Sequence, residues 1–287
     1  MRPFIISTDT TADLPAEFAA EHGISIHPLH YLIDDKEYGM EMGELSPHDF
    51  YQTMRDGKMP TTNATNLGYD IKLMEELVQE GNDILHISFS SQMSTSYNNA
   101  RLAAEEVMGR HPECRILVYD SKNATCGLSA LIRTLVKKKE SGCTLDEAAK
   151  WLEETLPRAV CYFTLPDLFH MWRGGRLKKS SAVLGTALKI QPVLHINDIG
   201  ALEPIKKVRG RAAAVKGLYA DLAEQCAAGK KPEIVCITHG DCPEEAEALA
   251  KAVKETLGIS EVYISYLSPT LGSHSGPSTL TLGYISQ

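Results

Sequence analysis

The sequence predicts a two-part α/β architecture, a parallel-sheet α/β domain followed by an α+β domain with a mixed sheet. Three observations carry this. Over the first 157 residues, short apolar runs alternate with amphipathic helix-like segments, the pattern of parallel βαβ units. Past Pro157 the strand-like runs come closer together, and two of them are joined by Asn197-Asp198-Ile199-Gly200, a hairpin sequence. Finally, 287 residues exceed a typical single core. The predicted domains are therefore 1–157 and 158–287.

The elements follow in order. "PFIIS" opens as a short apolar strand. Asp13-Leu14-Pro15 starts a helix, with proline in the first turn where its missing N–H costs nothing, and Gly23 ends it. "ISIHPLHYLI" is extended and "DDKEYGMEM" reads as a hairpin excursion. Ser46-Pro47 caps a helix running through Met54. From Asn66, apolar residues at 67, 71, 74, 77 and 78 mark one buried helix face. "DILHISF" and "CRILVYDS" are buried-type strands, each leading into a helix. Thr144 and Glu147 form a capping box for "LDEAAKWLEETL". In the second part "VCYFTL", "QPVLHIND", "ALEPIKKV", "PEIVCITHG", "EVYISYLS" and "TLTLGYIS" are strand-like, with helices over about 211–228 and 243–257. Gly272, Gly276 and Pro277 place His274 in a loop between two strands.

Composition narrows the function classes. Net charge is −8, and the longest basic block is Lys137–Lys139, so a nucleic-acid or membrane-surface role through a basic patch is excluded. The N-terminus carries only a four-residue apolar core before Asp9, short of a signal peptide or a membrane span, and a cytoplasmic location is expected. Seven cysteines without framework spacing read as free thiols.

Polar residues cluster just after predicted strands, in "STDTTAD" (7–13), "PTTNATN" (60–66), "SFSSQMSTSYNN" (88–99) and "DSKNATCG" (120–127). Ligands of open α/β sheets bind outside the carboxyl ends of the strands. Hydroxyls and helix N-terminal amides there suit an oxygen anion, whereas capping the next helix needs only one such residue per loop. Neither a nucleophile elbow, a dinucleotide fingerprint nor a P-loop is present. A Ser-His-acid triad drawn from Ser90, Ser91, Ser94 or Ser96, with His239 or His274 as base, stays open, as does an enzyme that processes a small phosphorylated or acyl substrate on the hydroxyl loops, using Ser94 or His274 chemically. Cys236-x-x-His239-x-x-Cys242 is the nearest metal pattern and lacks a fourth ligand.

Six motifs in sequence order resemble the DegV family, which includes the fatty-acid-binding subunits of bacterial fatty acid kinase. They are "STDTTADLP", "PTTNATN", "SSQMSTSY", "DSKNATCGLS", "RGGRLKKSSAVLGTALKIQPVL" and "GSHSGPSTLTLGY", and they span essentially the full length. The resemblance implies two α/β-type domains clamping a long-chain, palmitate-like fatty acid. It implies no catalysis by this chain and no cofactor; an ATP-dependent kinase partner phosphorylates the carboxylate. By position the carboxylate falls to Thr62 and Ser94, the loop histidine to His274 and a second-domain arginine to Arg209. Thr61, Asn63, Ser91 and Thr95 support the head-group loops. Arg173, Arg176 and Lys178 form a cationic cluster suited to docking an acidic partner. Phe163, Leu165, Phe169, Met171, Leu184, Leu188 and Ile190 are candidate walls for the tail. Asn63, Thr95 and Ser278 depart from the family pattern and change the head-group surroundings.

Overall fold

The computed structural model describes residues 2–39, 44–166, 168–177 and 190–287. A parallel four-stranded sheet has the order β2-β1-β6-β7, from β1 (Phe4–Asp9), β2 (Ser25–His27), β6 (Asp83–Ser88) and β7 (Ile116–Asp120). Its crossovers are α1 (Ala16–Glu21) between β1 and β2, and α4 (Ser96–Arg110) between β6 and β7. A small antiparallel sheet joins β3 (Tyr31–Ile33) to β4 (Lys36–Tyr38) and to the two-residue β5 (Thr61–Thr62). Helix α2 (Pro47–Arg55) and helix α3 (Leu67–Gln79) flank β5 in sequence.

Helix starts are set by the local sequence. Ser46 accepts the Asp49 N–H, with Pro47 in the first turn. Asn66 accepts the Tyr69 N–H at 3.1 Å and starts α3. Thr144 and Glu147 make the capping box of α6 (Leu145–Thr155). Each satisfies a donor that the helix itself leaves orphaned.

The second half holds a mixed six-stranded sheet of order β10-β9-β8-β13-β11-β12. It comprises β8 (Ala159–Thr164), β9 (Ile190–Ile196), β10 (Leu202–Arg209), β11 (Ile234–His239), β12 (Glu261–Tyr266) and β13 (Leu280–Ile285). Only β11 and β12 run parallel, and the 197–200 turn joins β9 to β10 as an antiparallel hairpin. The helix expected over 211–228 breaks at Tyr219 into α8 (Arg211–Leu218) and α9 (Ala220–Ala227). Helix α10 (Pro243–Leu257) matches its expected span. The expected loop around His274 is instead a short helix, α11 (Pro269–Ser275), with Pro269 in its first turn and Gly276 at φ 82° ending it. The short α7 (Phe169–Arg173) packs against it.

Helix α5 (Thr125–Glu140) lies between the sheets. Leu128, Leu131, Ile132 and Leu135 meet Phe4, Ile6, Leu85 and Ile87 of the parallel sheet in one core. Cys126 and Ala130 instead join Cys161, Phe163 and Cys236 of the mixed sheet in a second. The approach to β13 is so close that a Cβ at Gly283 would lie 2.5 Å from the Cys126 carbonyl carbon, so only glycine fits there. All seven cysteines are free. No described helix is long and apolar enough to cross a membrane.

Candidate functional site

The hydroxyl-rich loops converge because the helices they start are packed together. Helices α3 and α4 lie side by side. Between them the Thr65 N–H donates to Ser96 Oγ at 3.3 Å, and Asn99 Nδ2 donates to the Thr65 carbonyl at 2.7 Å. This fastens the 60–66 loop to the 90–96 loop. Beneath the second loop, buried Asp9 accepts the Phe89 N–H at 2.8 Å and the Thr11 N–H at 3.0 Å. Burial raises the Asp9 carboxyl pKa against those hydrogen bonds.

A cavity of about 410 Å³ opens between the halves. Thr62, Asn63, Ser91, Ser94, Thr95 and His274 all border it, so six of the eight predicted ligand residues come together. Leu29, Phe89 and Met93 supply apolar wall from the first half, and Phe163, Met171 and Leu271 from the second. Thr125, Thr279 and Thr281 add hydroxyls, two of them on a short chain with Thr238: Thr125 Oγ1 to Thr238 Oγ1 at 2.6 Å, and Thr238 Oγ1 to Thr281 Oγ1 at 2.7 Å.

The two remaining expected ligand residues lie off this cavity. Thr61 is exposed and does not line the cavity, because it sits beside Thr62 on β5 and successive strand side chains point to opposite faces. Arg209 is exposed at the end of edge strand β10, away from the cavity lining. Of the four polar loops, 7–13 does not reach this cavity. Asp9, Thr10 and Asp13 border a separate cavity of about 570 Å³ instead. Among the tail-wall candidates, Phe163 and Met171 line the cavity; Leu165 is core, and Phe169 and Ile190 lie off the lining. Leu184, Leu188 and Lys178 lie outside the described residues.

His274 is the centre of the polar geometry. Its Nε2 lies 2.7 Å from Thr62 Oγ1. Burial, helped by the positive Arg176 and Arg173, holds its pKa down to about 3, so the ring is neutral at physiological pH. The ring fits because residue 174 is glycine: a Cβ there would lie 2.1 Å from His274 Nδ1. Ser94 Oγ lies 2.9 Å from Ser96 Oγ and accepts the Ser96 N–H at 3.2 Å. Ser91 donates to Asp120 Oδ2 at 2.6 Å, and Ser90 donates to the Gly200 carbonyl at 2.7 Å, docking the β9–β10 hairpin.

Arg173 and Arg176, expected to dock a partner, have guanidinium donors engaged by backbone carbonyls of this chain. Arg173 donates to Pro60 O at 2.9 Å and Ser273 O at 3.2 Å. Arg176 donates twice to Met93 O, at 3.1 and 3.0 Å, and to Gly174 O at 2.7 Å. They tie both hydroxyl loops to the second half and set positive charge near His274. Gly174 and the bracing role of these arginines were missed from sequence, since each depends on contacts remote along the chain. No group of three or more metal-ligating side chains is found among the described residues.

The DegV family model, described as an uncharacterised protein family, matches residues 3–287. A DegV domain-containing protein of Clostridium perfringens is 34% identical over 286 residues, covering 99% of this chain and 98% of the relative. The solved structure of DegV from Bacillus subtilis, described as a fatty acid binding protein, is similar with a TM-score of 0.88 at 26% identity, over 100% of both chains. A DegV family protein from Thermus thermophilus, described by its fatty acid binding, also gives 0.88, at 25% identity and 100% coverage of both chains.

Proposed function

The chain belongs to the DegV family, and on that footing we propose that it binds a long-chain fatty acid non-covalently in the cavity between its halves. The carrying observation is the cavity itself, a largely apolar space of about 410 Å³ with Thr62 and Ser94 on its border. That volume falls within the range of small-ligand sites, roughly 300–1,000 Å³.

The head group is held by hydroxyl donors. With its proton on Nε2, the tautomer this reading requires, neutral His274 donates to Thr62 Oγ1 and leaves the Thr62 O–H free to donate to a carboxylate oxygen. Ser94 Oγ is likewise occupied as an acceptor by the Ser96 N–H, and its O–H serves the other oxygen. The tail supplies the affinity. Burying about 14 methylenes at ~0.8 kcal/mol each contributes roughly 11 kcal/mol, of which association and chain ordering remove several.

The chain acts as a carrier, presenting the carboxylate to a separate ATP-dependent kinase for acyl-phosphate formation; palmitate-like acids are the preferred cargo. Mass spectrometry of the denatured protein should find co-purified C14–C18 acids. Repeated absence of such acids, with no uptake of added palmitate, overturns the reading.

A further inference from the structure

The opening motif around Asp13 has no part in the cavity, yet it reaches the helix that carries His274. Asp13 is buried, 5% exposed, and held in the left-handed region at φ 52°. Its Oδ1 accepts the Ser268 N–H at 2.9 Å, a contact spanning 255 residues. The hydroxyl of Tyr51, also fully buried, donates to the Leu267 carbonyl at 2.9 Å. The Leu267 carbonyl and the Ser268 N–H belong to one planar peptide unit. Two first-half side chains therefore hold both polar ends of a single second-half peptide, which fixes its plane as well as its position.

That peptide immediately precedes α11. From it the helix runs on hydrogen bonds from Gly272 N to Ser268 O at 2.8 Å and from Gly276 N to Gly272 O at 2.7 Å. Its far end presents His274 to Thr62. Gly272 leaves room for the grip, since a Cβ there would lie 2.5 Å from the Tyr51 hydroxyl. We propose that Asp13 and Tyr51 are positioning residues for His274, acting through the Leu267–Ser268 peptide to set the angle at which α11 presents the imidazole to the head-group site.

The geometry makes different demands on the two residues. At Asp13 the grip on the peptide uses the Oδ1 acceptor, which asparagine keeps; alanine removes the acceptor and leaves a buried N–H unpaired. At Tyr51 the ring fills the core and only the hydroxyl grips, so Tyr51→Phe deletes the contact with the packing kept. Tyr51→Phe is the variant that tests the grip if Asp13→Ala does not fold.

Two readouts separate this inference from the fatty-acid reading on which its affinity arm rests. The first needs no ligand: hydrogen exchange of residues 267–275, with the His274 ring signals followed by NMR. Asp13→Ala and Tyr51→Phe should each speed exchange there about ten-fold and shift the His274 signals, and Asp13→Asn should restore both towards wild type. The second is affinity for a fluorescent C18 polyene acid, expected to weaken about five-fold in Asp13→Ala and Tyr51→Phe. Unchanged exchange and unchanged His274 signals in both, or an Asp13→Asn that behaves like Asp13→Ala, overturn the inference. If the wild type binds no fatty acid, the proposed function fails, and the exchange arm still decides the positioning role.

Discussion

Gly174 gives the sharpest perturbation, because the space it leaves is occupied chiefly by one ring, that of His274. A Cβ at this position would lie 2.1 Å from His274 Nδ1 and 2.9 Å from Cε1, where ordinary contact begins at 3.4 Å. The ring would have to retreat by about 1.3 Å, and it cannot do so along the line to Thr62, whose Oγ1 is already 2.7 Å from Nε2. It must swing aside, and the Nε2–Thr62 hydrogen bond breaks. Losing that bond costs about 1 kcal/mol, and overpacking where α7 meets α11 adds roughly 1–3 kcal/mol. Gly174→Ala should therefore lower stability by about 2–4 kcal/mol and weaken fatty-acid affinity about five-fold, the equivalent of one neutral hydrogen bond. Urea melts and titration with a fluorescent fatty acid measure the two effects. Gly109→Ala is the control: it sits in α4 with nothing near its Cβ, and should raise stability by about 0.5–1 kcal/mol with affinity unchanged. The double variant Gly174→Ala/His274→Ala should bind no worse than His274→Ala alone, since both act on one ring. Wild-type affinity and unshifted His274 signals in Gly174→Ala would refute the argument.

Three further outcomes follow from the same geometry. Thr61→Val should leave affinity within about 0.5 kcal/mol of wild type, whereas Thr62→Val on the opposite face should weaken binding about five-fold or more; equal effects would mean that β5 does not alternate as described. Because burial holds His274 near 3 while an unfolded histidine titrates near 6.5, the unfolded chain takes up a proton there that the native ring refuses, and stability falls as pH drops below about 6.5. His274→Gln should reduce the slope of that part of the pH profile, to which buried His86 and His239 also contribute, and a wild-type His274 imidazole titrating between pH 5 and 8 by NMR would contradict it. Asp13 has the opposite sign: burial raises its pKa from 3.8 to about 7, so the native state holds a proton that the unfolded chain has released, and stability falls as pH rises from about 4 to 7. At about 1.36 kcal/mol per pKa unit the loss reaches roughly 4 kcal/mol at most, and Asp13→Asn should abolish it in chemical melts at pH 5 and pH 8.

What was legible in the sequence, and what was not, divides by the range of the interaction. The caps at Ser46, Asn66 and Thr144 are satisfied within three residues, so local order suffices to read them. The parallel and mixed sheets were legible because burial on two faces and hairpin turns leave different patterns. Thr61 was misplaced because β5 is two residues long, too short for a period-two signal. Helix α11 was read as a loop because Gly272, Ser273 and Ser275 lower its intrinsic propensity; it is held by Asp13, Tyr51, Arg173 and Thr62, all more than 90 residues away. Gly174 looked like part of a cationic turn, and nothing nearby in sequence indicates that His274 fills the space beside it.

The polar arrangement also bears on how a carrier could both hold and release an anion. A guanidinium paired directly with the carboxylate would make two charge-assisted hydrogen bonds, about twice as strong as neutral ones. Here both arginines near His274 already donate to the carbonyls of Pro60, Ser273, Met93 and Gly174. They lend positive potential to the site, as their effect on His274 shows, with those donors already engaged. On the proposed reading the carboxylate is met by uncharged hydroxyls, each hydrogen bond worth about 1.5–3 kcal/mol without the added attraction of a full positive charge, and tail burial provides the rest of the affinity. Strengthening the head-group contact would slow dissociation, since affinity within one site is set mostly by the off-rate. Thr62→Lys, which would place an ammonium against the head group, should thus lengthen the residence time of bound fatty acid and slow its transfer to acceptor vesicles of neutral phosphatidylcholine. Faster transfer from that variant would show that the hydroxyl pair is not what keeps the head group releasable.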